Sequence, residues 1–405
     1  MIDFMNSREG GKKIKKSWIQ KIIRLIFFIG LVFILSGISL IIFDRYLFPY
    51  LATVKWAGKY KFFRKATEDV IVVNKTEEVT VFEDQMISRY SNKSVSSVVE
   101  ILSFKGESKN LEKMRDMSLV KYGSGLVITA DGLILTHKDA ILGEQSKYRI
   151  FIQKDKFFDA RLVVVDSFTD LVLLKIDGAP DLPVASFIAP EDMKVGAKAV
   201  VIGRSGNNFQ IIYKSGLVSQ YDSNFSLTGA LPFSEKLQGV YIADFNMNRE
   251  EDKKAVGGAV TDYNGNVIGI LGVRKIADQK KYFIIPSDCV QELINQYLSI
   301  GSVKRGALGV YYISLSSESA ALFDGSDRGA LIYSLSGQQG LAVIAGSAAE
   351  KAGIKIMDVI ISVNEEEVNL ENNLARLISK YKPGETISLK IIRDGKEIEM
   401  KAVLE

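Results

Sequence analysis

The sequence predicts a mainly β protein that is preceded by an N-terminal transmembrane helix and ends in a smaller α+β domain. Between residues 94 and 300, short runs rich in Val, Ile and Leu alternate with Gly, Asp and Asn. Many short strands separated by turns favour an all-β barrel or sandwich over βαβ units. An uncharged run at 25–43 precedes this region, and residues 301–405 combine short strands with amphipathic helices.

The N-terminal segment predicts a membrane anchor. Residues 1–24 are basic and are predicted to form a cytoplasmic tail, and residues 25–43 carry no charge. At about 1.5 Å per residue, the uncharged run spans a hydrocarbon core of about 30 Å, and it exceeds the roughly 7–15 apolar residues of a cleavable signal peptide. The basic residues before it and Asp44 after it predict a cytoplasmic N-terminus and an extracytoplasmic remainder. A buried core helix and a cleaved signal sequence are the alternatives.

Residues 44–93 are predicted to form a juxtamembrane linker. The first part mixes aromatic and basic residues, which suits the headgroup interface or an ordinary packed helix. Residues 70–81 carry two β-branched runs about a polar centre. That pattern predicts a hairpin.

Composition excludes several classes of site. Cys289 is the only cysteine and His137 the only histidine, so neither an intramolecular disulfide nor a Cys/His zinc site is expected. The sequence has no Walker-type phosphate loop and no dinucleotide-binding glycine fingerprint. The net charge of +4 is small, and the basic tail lies directly before the apolar run, where membrane topology explains it better than nucleic-acid binding. We therefore expect no metal, no cofactor and no nucleic-acid partner.

Residues 94–300 are predicted to form a β domain closed by a helix. The Asp131-Gly132 and Asn264-Gly265 pairs are strong hairpin signals. After the last predicted strand, apolar residues recur at helical spacing between Ser287, which is expected to cap the helix, and Gly301, which is expected to end it. These apolar residues are Val290, Leu293, Ile294, Tyr297 and Leu298.

Three segments of the β domain resemble the HtrA/Deg family of trypsin-like serine proteases. GSGLVITADGLILT at 123–136 is similar to the hairpin before the catalytic histidine, and DSFTDLVLLKID at 166–177 to the segment with the catalytic aspartate. GGAVTDYNGNVIGI at 257–270 is similar to the strand pair that follows the nucleophile. The resemblance implies that residues 94–300 form a trypsin-like double β-barrel.

The sequence departs from the family at the catalytic positions. Asp170 retains the triad acid, but Asp139 stands at the histidine position and Val256 at the serine position. Lys254 replaces a glycine of the oxyanion loop, where a side chain disfavours the glycine-type backbone. Loss of the serine or the histidine of such a triad lowers turnover about 10⁶-fold. The resemblance therefore implies a pseudoprotease.

His137 is not expected to replace the missing imidazole. It lies two residues before the family's histidine position, which moves a strand side chain by about 6–7 Å. General-base catalysis needs a heavy-atom contact near about 3 Å. We expect His137 to be an ordinary surface histidine.

Residues 301–405 resemble the PDZ domain that follows the protease in this family. Residues 305–310 are similar to the carboxylate-binding loop and the first groove strand, and residues 346–368 to the core segment of the domain. The resemblance implies that a peptide adds as a strand and that backbone N–H groups hold its terminal carboxylate. The expected peptide-binding residues are Leu308, Gly309, Val310, Tyr311, Leu374, Leu377 and Ile378. For the last three, the alternative to lining a pocket is packing in the domain core.

These features favour a binding function over catalysis. We expect a membrane-anchored pseudoprotease that binds peptide C-termini or unfolded proteins outside the cytoplasm as a scaffold, sensor or chaperone-like protein. The alternatives are an active HtrA-type serine endopeptidase in envelope protein quality control and an envelope structural protein whose groove is unoccupied. The resemblance also implies a homotrimer or an assembly with active relatives, of which the sequence has no independent sign.

Overall fold

The computed structural model describes residues 10–47, 94–105, 119–178, 181–188, 193–206, 209–276, 279–319 and 326–405. The chain divides into two compact units, Met1–Thr80 and Val81–Glu405, and each is described by itself. Residues 48–93, which include the predicted hairpin and most of the predicted linker, lie outside the described ranges.

The first unit contains one long apolar helix. Helix α1 covers Gly10–Ile42 and continues as a π-helical turn at Phe43–Leu47. The segment Lys21–Leu47 has a mean hydropathy of 2.9, and its most apolar window is not buried against protein. A helix that is apolar on all sides needs apolar surroundings. The predicted N-terminal apolar helix is confirmed, and it is long enough to cross a membrane.

Two closed β-barrels form the larger part of the second unit. The strands of the first barrel are β1 (Val98–Phe104), β2 (Val120–Thr129), β3 (Leu133–His137), β4 (Lys147–Gln153), β5 (Lys156–Val165) and β6 (Leu171–Ile176). The strands of the second barrel are β7 (Lys198–Ser205), β8 (Gln210–Ser226), β9 (Gln238–Ala243), β10 (Ala259–Thr261), β11 (Val267–Ile276) and β12 (Gln279–Pro286). Their orders are β1-β2-β3-β6-β5-β4 and β10-β11-β12-β9-β8-β7. The predicted double barrel is confirmed.

Both predicted hairpin turns are present. Gly132 joins β2 to β3 with φ 94°, and Gly265 joins β10 to β11 with φ 80°. Glycine adopts these positive φ angles without the Cβ clash that other residues suffer. The turns set the register in which Val, Ile and Leu side chains point into each barrel.

Helix α2 closes the second barrel at Ser287–Ile300. Pro286 occupies the cap position and Ser287 is the first helical residue, so the predicted Ser287 cap is wrong by one residue. The cap residue and the first helical residue are distinguished by their backbone angles, and residue type alone does not decide which of two neighbours takes the cap position. Gly301 ends the helix with φ 70°, as predicted.

The rest of the second unit is an α+β domain. Its strands are β13 (Tyr312–Ser314), β14 (Ala330–Ile332), β15 (Val359–Val363), β16 (Glu366–Glu367), β17 (Thr386–Arg393) and β18 (Lys396–Val403). Its helices are α3 (Gln339–Ala342), α4 (Ala348–Ala352) and α5 (Leu374–Ser379). The sheet order is β13-β14-β15-β17-β18, with β16 paired to β15.

The α+β domain packs directly on the barrels. One continuous cluster of buried apolar side chains includes Phe168 of the first barrel, Phe283 of the second and Tyr312 of the α+β domain. The fully buried Tyr312 donates its hydroxyl to Gln238 Oε1 at 2.5 Å. This packing holds β13 and the loop before β9 side by side.

Candidate functional site

Asp170 ends a short structured loop before β6. The Asp166 side chain accepts hydrogen bonds from the Phe168 N–H at 3.1 Å and the Thr169 hydroxyl at 2.7 Å. Asp170 itself has φ 62°, a left-handed conformation that aspartate tolerates better than most residues. Lys138 N–H donates to the Asp170 carbonyl at 2.9 Å. The loop therefore brings Asp170 beside the end of β3.

Both oxygens of the Asp170 carboxylate are engaged by lysines. Lys236 Nζ lies 2.9 Å from Oδ1 and Lys138 Nζ lies 2.6 Å from Oδ2. The Asp170 side chain is 6% exposed. In a serine-protease triad this acid accepts a hydrogen bond from the catalytic imidazole and orients it. Here each oxygen lies beside an ammonium group, and neither accepts a hydrogen bond from His137, the only histidine.

His137 is buried at the end of β3, so the expectation of a surface histidine is wrong. The residue pairs with Leu171 across β3 and β6, is 1% exposed, and packs edge-on against Phe283 with ring centroids 6.0 Å apart. The register with β6 turns the ring inward, which the sequence of β3 alone does not reveal.

Neither nitrogen of His137 is available as a base. Nδ1 accepts a hydrogen bond from the Asp139 N–H at 3.2 Å, so the neutral ring carries its hydrogen on Nε2. Nε2 is buried and has no hydrogen-bond partner among the described residues. Burial lowers the pKa of His137 to about 4. The ring is therefore neutral near pH 7 and serves as packing.

Acid is expected to destabilise the fold through His137. The folded pKa of about 4 lies below the ordinary value of 6.5, so between these pH values the unfolded chain binds a proton that the folded chain does not. Stability should fall as the pH drops through this window, by on the order of 3 kcal/mol. Urea unfolding at a series of pH values measures this loss.

The matched control is His137→Asn, which can accept from the Asp139 N–H but cannot titrate. The slope of unfolding free energy against pH between 6.5 and about 4 should become shallower in this variant. Equal slopes for the two proteins would contradict the assignment.

Asp139, Val256 and Lys254 meet at one cavity. Its volume is about 330 Å³, and it lies at the junction of the two barrels. Asp139 enters from the 3-10 turn Lys138–Ala140 with its side chain 45% exposed. Asp170 does not line this cavity. The lining residues are Lys121, Tyr122, Asp139, Glu250, Lys253, Lys254, Val256, Val273, Lys275, Lys280 and Tyr282.

The lining of this cavity is cationic and has no catalytic nucleophile. It contains five lysines against two carboxylates, and its only hydroxyls are the two tyrosine phenols. Burial lowers the pKa of Lys121, and burial together with the neighbouring Lys253 lowers that of Lys280. Such a cavity attracts anions. It has no serine, threonine, cysteine or histidine that could attack a carbonyl carbon.

The backbone around Val256 does not form an open oxyanion hole. Residues Glu251–Ala255 form a 3-10 turn, and the Val256 N–H donates to the Lys253 carbonyl at 3.3 Å. An oxyanion hole needs unpaired N–H groups aimed at one point. Lys254 lies within the turn, and its carbonyl accepts the Ser124 hydroxyl at 2.7 Å. Because the Val256 N–H already donates to the Lys253 carbonyl, it is not free to bind an oxyanion.

Leu308 and Gly309 lie at the start of the α+β domain and already bind a carboxylate. Their N–H groups donate to Oε1 of Glu235, at 2.6 and 2.8 Å. Gly309 has φ 84°, and a Cβ there would overlap the Ser347 side chain. The loop therefore presents two N–H groups to one oxygen, which is the arrangement expected for a carboxylate site.

The strand that follows this loop is also paired. Ser234 N–H donates to the Val310 carbonyl at 3.0 Å, and Tyr312 N–H donates to the Pro232 carbonyl at 3.1 Å. The Phe233 ring stacks on Tyr311 with centroids 4.6 Å apart. Residues 232–236 come from the loop between β8 and β9. A segment of the barrel domain thus lies along the predicted peptide groove.

The predicted pocket residues of α5 are buried. Leu374, Leu377 and Ile378 are inaccessible to solvent and belong to the same apolar cluster as Leu308 and Val310. Their burial agrees with packing in the domain core. Lining of a ligand pocket stays a prediction.

The sequence did not predict two residues that are distant along the chain and bind the predicted site residues. Glu235 and Lys236 contact Gly309 and Asp170, from which they are separated by 74 and 66 positions. The run LPFSEK at 231–236 has no strand or helix period. Only its proline and polar residues stand out, and they indicate a turn and nothing more.

Two domain families match the chain. The trypsin-like peptidase domain matches residues 123–270, and the PDZ domain matches residues 306–404. The first match lies within the two barrels, which run from Val98 to Pro286, and the second covers most of the α+β domain.

Curated relatives extend the similarity over most of the chain. A probable periplasmic serine endoprotease, DegP-like, from Hahella chejuensis is 30% identical over 69% of this chain and 55% of its own length. The periplasmic pH-dependent serine endoprotease DegQ of Escherichia coli is 29% identical over 70% of this chain and 59% of its own length. The chain thus spans little more than half the length of these relatives.

Solved structures agree on the fold. The HtrA-type protease AlgW with a tripeptide superposes with a TM-score of 0.60 over 80% of this chain and 96% of the other, at 22% identity. A structure of the same protease with a decapeptide gives a TM-score of 0.57 at 21% identity. The described fold of the second unit is therefore that of a trypsin-like domain followed by a PDZ domain.

Proposed function

We propose that this chain, which joins a trypsin-like peptidase domain to a PDZ domain in the manner of HtrA/DegP-type serine proteases, is a peptide-binding protein without protease activity. It would capture peptide C-termini or unfolded proteins outside the cytoplasm as a scaffold, sensor or chaperone-like protein. The relatives are named periplasmic, which supports an extracytoplasmic location for the folded domains.

The observation that carries the proposal is the cavity at the triad positions. Asp139 and Val256 line it, and none of its lining residues is a serine, threonine, cysteine or histidine. Acyl transfer needs a nucleophile activated by a base and a site for the oxyanion. Asp170, the remaining acid, binds Lys138 and Lys236, and the only histidine, His137, donates to neither of its oxygens.

The proposed binding activity rests on the PDZ domain. Its loop at Leu308 and Gly309 directs two N–H groups to one carboxylate oxygen, and the strand after it accepts an added strand. A peptide C-terminus offers the same two features, a carboxylate and an extended backbone. None of these groups depends on the triad positions.

Helix α1 is proposed to anchor the protein in a membrane. Its apolar run and basic N-terminal flank support a single span with the N-terminus in the cytoplasm. A homotrimer or an assembly with active relatives is proposed on the family resemblance alone.

The full chain in detergent micelles is expected not to cleave fluorescein-labelled casein above the buffer rate. Asp170→Asn should leave this baseline unchanged, because the acid has no catalytic partner. Val256→Ser should also stay at baseline, since it adds a hydroxyl without a base. A fluorescence dequenching assay with an active trypsin-like protease as positive control measures all three.

The competing function is an active serine endopeptidase, as the names of the relatives suggest. Cleavage that is present in the wild type and lost in Asp170→Asn would establish it and overturn the proposal. Cleavage that survives both Asp170→Asn and His137→Asn would indicate a contaminating protease.

A further inference from the structure

The PDZ groove is filled by a segment of the same chain. Residues 232–236, named here the latch segment, run antiparallel to Val310 and Tyr312. Ser234 N–H donates to the Val310 carbonyl at 3.0 Å, and the Pro232 carbonyl accepts from Tyr312 N–H at 3.1 Å. These are the main-chain contacts that a peptide ligand makes when it adds a strand to a sheet edge.

Glu235 supplies the carboxylate that a peptide ligand would bring with its C-terminus. Its Oε1 accepts from the N–H groups of Leu308 and Gly309 and from the Ser234 hydroxyl at 2.7 Å. A glutamate side chain and a chain terminus present the same pair of oxygens. Two N–H donors and one anionic acceptor make a charge-assisted contact that is stronger than a neutral hydrogen bond.

We propose that the latch segment is a tethered ligand that closes the PDZ groove, and that a peptide C-terminus binds by displacing Glu235 from Leu308 and Gly309. This inference rests on the proposed peptide-binding function and adds its regulation. The occupant of the open groove is a peptide with a free terminal carboxylate, because the loop N–H groups would otherwise lose their acceptor.

The fit of the latch segment is imperfect, which makes it displaceable. Glu235 Oε2 is buried and has no hydrogen-bond partner among the described residues. Burial raises the pKa of Glu235, although the N–H of Gly309 partly opposes the rise. Part of the gain from the hydrogen bonds is therefore offset by desolvation. A free peptide competes against this reduced net stabilisation.

The latch segment also connects the groove to the triad region. Lys236 follows Glu235 directly, and its ammonium group donates to Asp170 Oδ1 at 2.9 Å. Leu237 N–H donates to the Phe168 carbonyl in the Asp170 loop at 2.9 Å. Displacement of Glu235 would shift Lys236 and Leu237 and weaken both hydrogen bonds.

The test compares the wild type, Glu235→Ala and Glu235→Gln as full chains in detergent micelles. The probe is a fluorescein-labelled pool of hexapeptides with free C-termini, followed by fluorescence anisotropy, with the C-terminally amidated pool as reference. Glu235→Ala should bind the free-carboxylate pool at least tenfold more tightly than the wild type does. Glu235→Gln keeps an uncharged acceptor and should show a smaller increase. Glu251→Ala, an exposed glutamate in the barrel domain, should leave binding unchanged.

Amide hydrogen exchange supplies a readout without any peptide. The N–H groups of Leu308, Gly309 and Val310 should exchange faster in Glu235→Ala than in the wild type, because their acceptors leave with the latch segment. Unchanged exchange, or equal peptide affinity in the wild type and Glu235→Ala, would overturn the latch while leaving peptide binding intact. Faster exchange without binding of either pool would support closure by Glu235 and contradict the proposed peptide-binding function.

Discussion

Replacement of Arg305 by Met is expected to lower the free energy of unfolding of the unit Val81–Glu405 by about 3–5 kcal/mol. The Arg305 guanidinium donates to both oxygens of Asp166, from Nε and Nη2, each at 3.1 Å. Asp166 is 2% exposed. Met preserves the apolar stem but leaves this carboxylate buried without a cation. Urea unfolding followed by circular dichroism measures the loss.

The matched control is Arg149→Met in the first barrel. Arg149 pairs with Asp159 at 2.9 Å, but the Asp159 side chain is 76% exposed, so its removal should cost less than about 1 kcal/mol. Arg305→Met combined with Asp166→Asn should recover part of the loss, because the buried group no longer carries a charge, while Glu292, which Arg305 Nη1 also contacts at 2.8 Å, is 42% exposed and stays solvated. Equal losses for Arg305→Met and Arg149→Met would contradict the buried-pair explanation.

The Arg305 pair matters because it joins the two candidate sites. Asp166 also accepts from Phe168 and Thr169 and so shapes the loop that ends in Asp170. Arg305 precedes the carboxylate loop at Leu308 by three residues. Arg305 thus links the loop that ends in Asp170, the predicted triad acid, to the segment that leads into the predicted peptide groove. The latch segment also contacts both sides, through Lys236 to Asp170 and through Glu235 to Leu308 and Gly309.

The sequence predicts the fold well because the fold depends on local signals. Glycine turns at Gly132 and Gly265, β-branched runs and the stop at Gly301 are each readable within a few residues. Asp139, Val256 and Lys254 are assigned to the triad and oxyanion positions from their distances to adjacent strands, and this assignment stays a prediction. All three line one cavity.

The contacts that the sequence does not predict are those between distant segments. Burial of His137 depends on the pairing of β3 with β6. Lys236, one of the two lysines that bind Asp170, and Glu235, which binds Gly309, come from a loop more than sixty positions away. Long-range contacts leave no period or turn signal in the segments that make them. That residues 232–236 lie along the predicted groove is therefore visible only in the structure.

Gly257→Ala is expected to lower the free energy of unfolding by about 2–5 kcal/mol, the sum of a backbone term and an overpacking term. Gly257 has φ 81°, and an added Cβ would overlap Thr136 Oγ1 and lie 2.5 Å from the Ser124 carbonyl oxygen. These neighbours cannot retreat easily, because the Thr136 hydroxyl donates to that same carbonyl at 2.7 Å. Thermal and urea unfolding of the unit Val81–Glu405 measure the change.

Gly353→Ala separates the backbone term from the packing term. Gly353 has a similar φ of 82° at the end of α4, but a Cβ there would meet nothing within 4 Å. It should cost only about 1–2 kcal/mol. Equal losses at the two glycines would show that the space around Gly257 is not tight.

The glycine directly after the nucleophile position thus has a structural role that does not require catalysis. Gly257 N–H donates to the Leu271 carbonyl at 2.9 Å, and its Cα lies where a side chain would separate β2 and β3 from the second barrel. An added Cβ at Gly258 would overlap the Ile202 carbonyl oxygen, so both glycines occupy tight spaces whether or not a serine precedes them. The match of this Gly-Gly pair to the protease motif is therefore explained by folding, and activity has to be judged from Asp139, Val256 and Asp170.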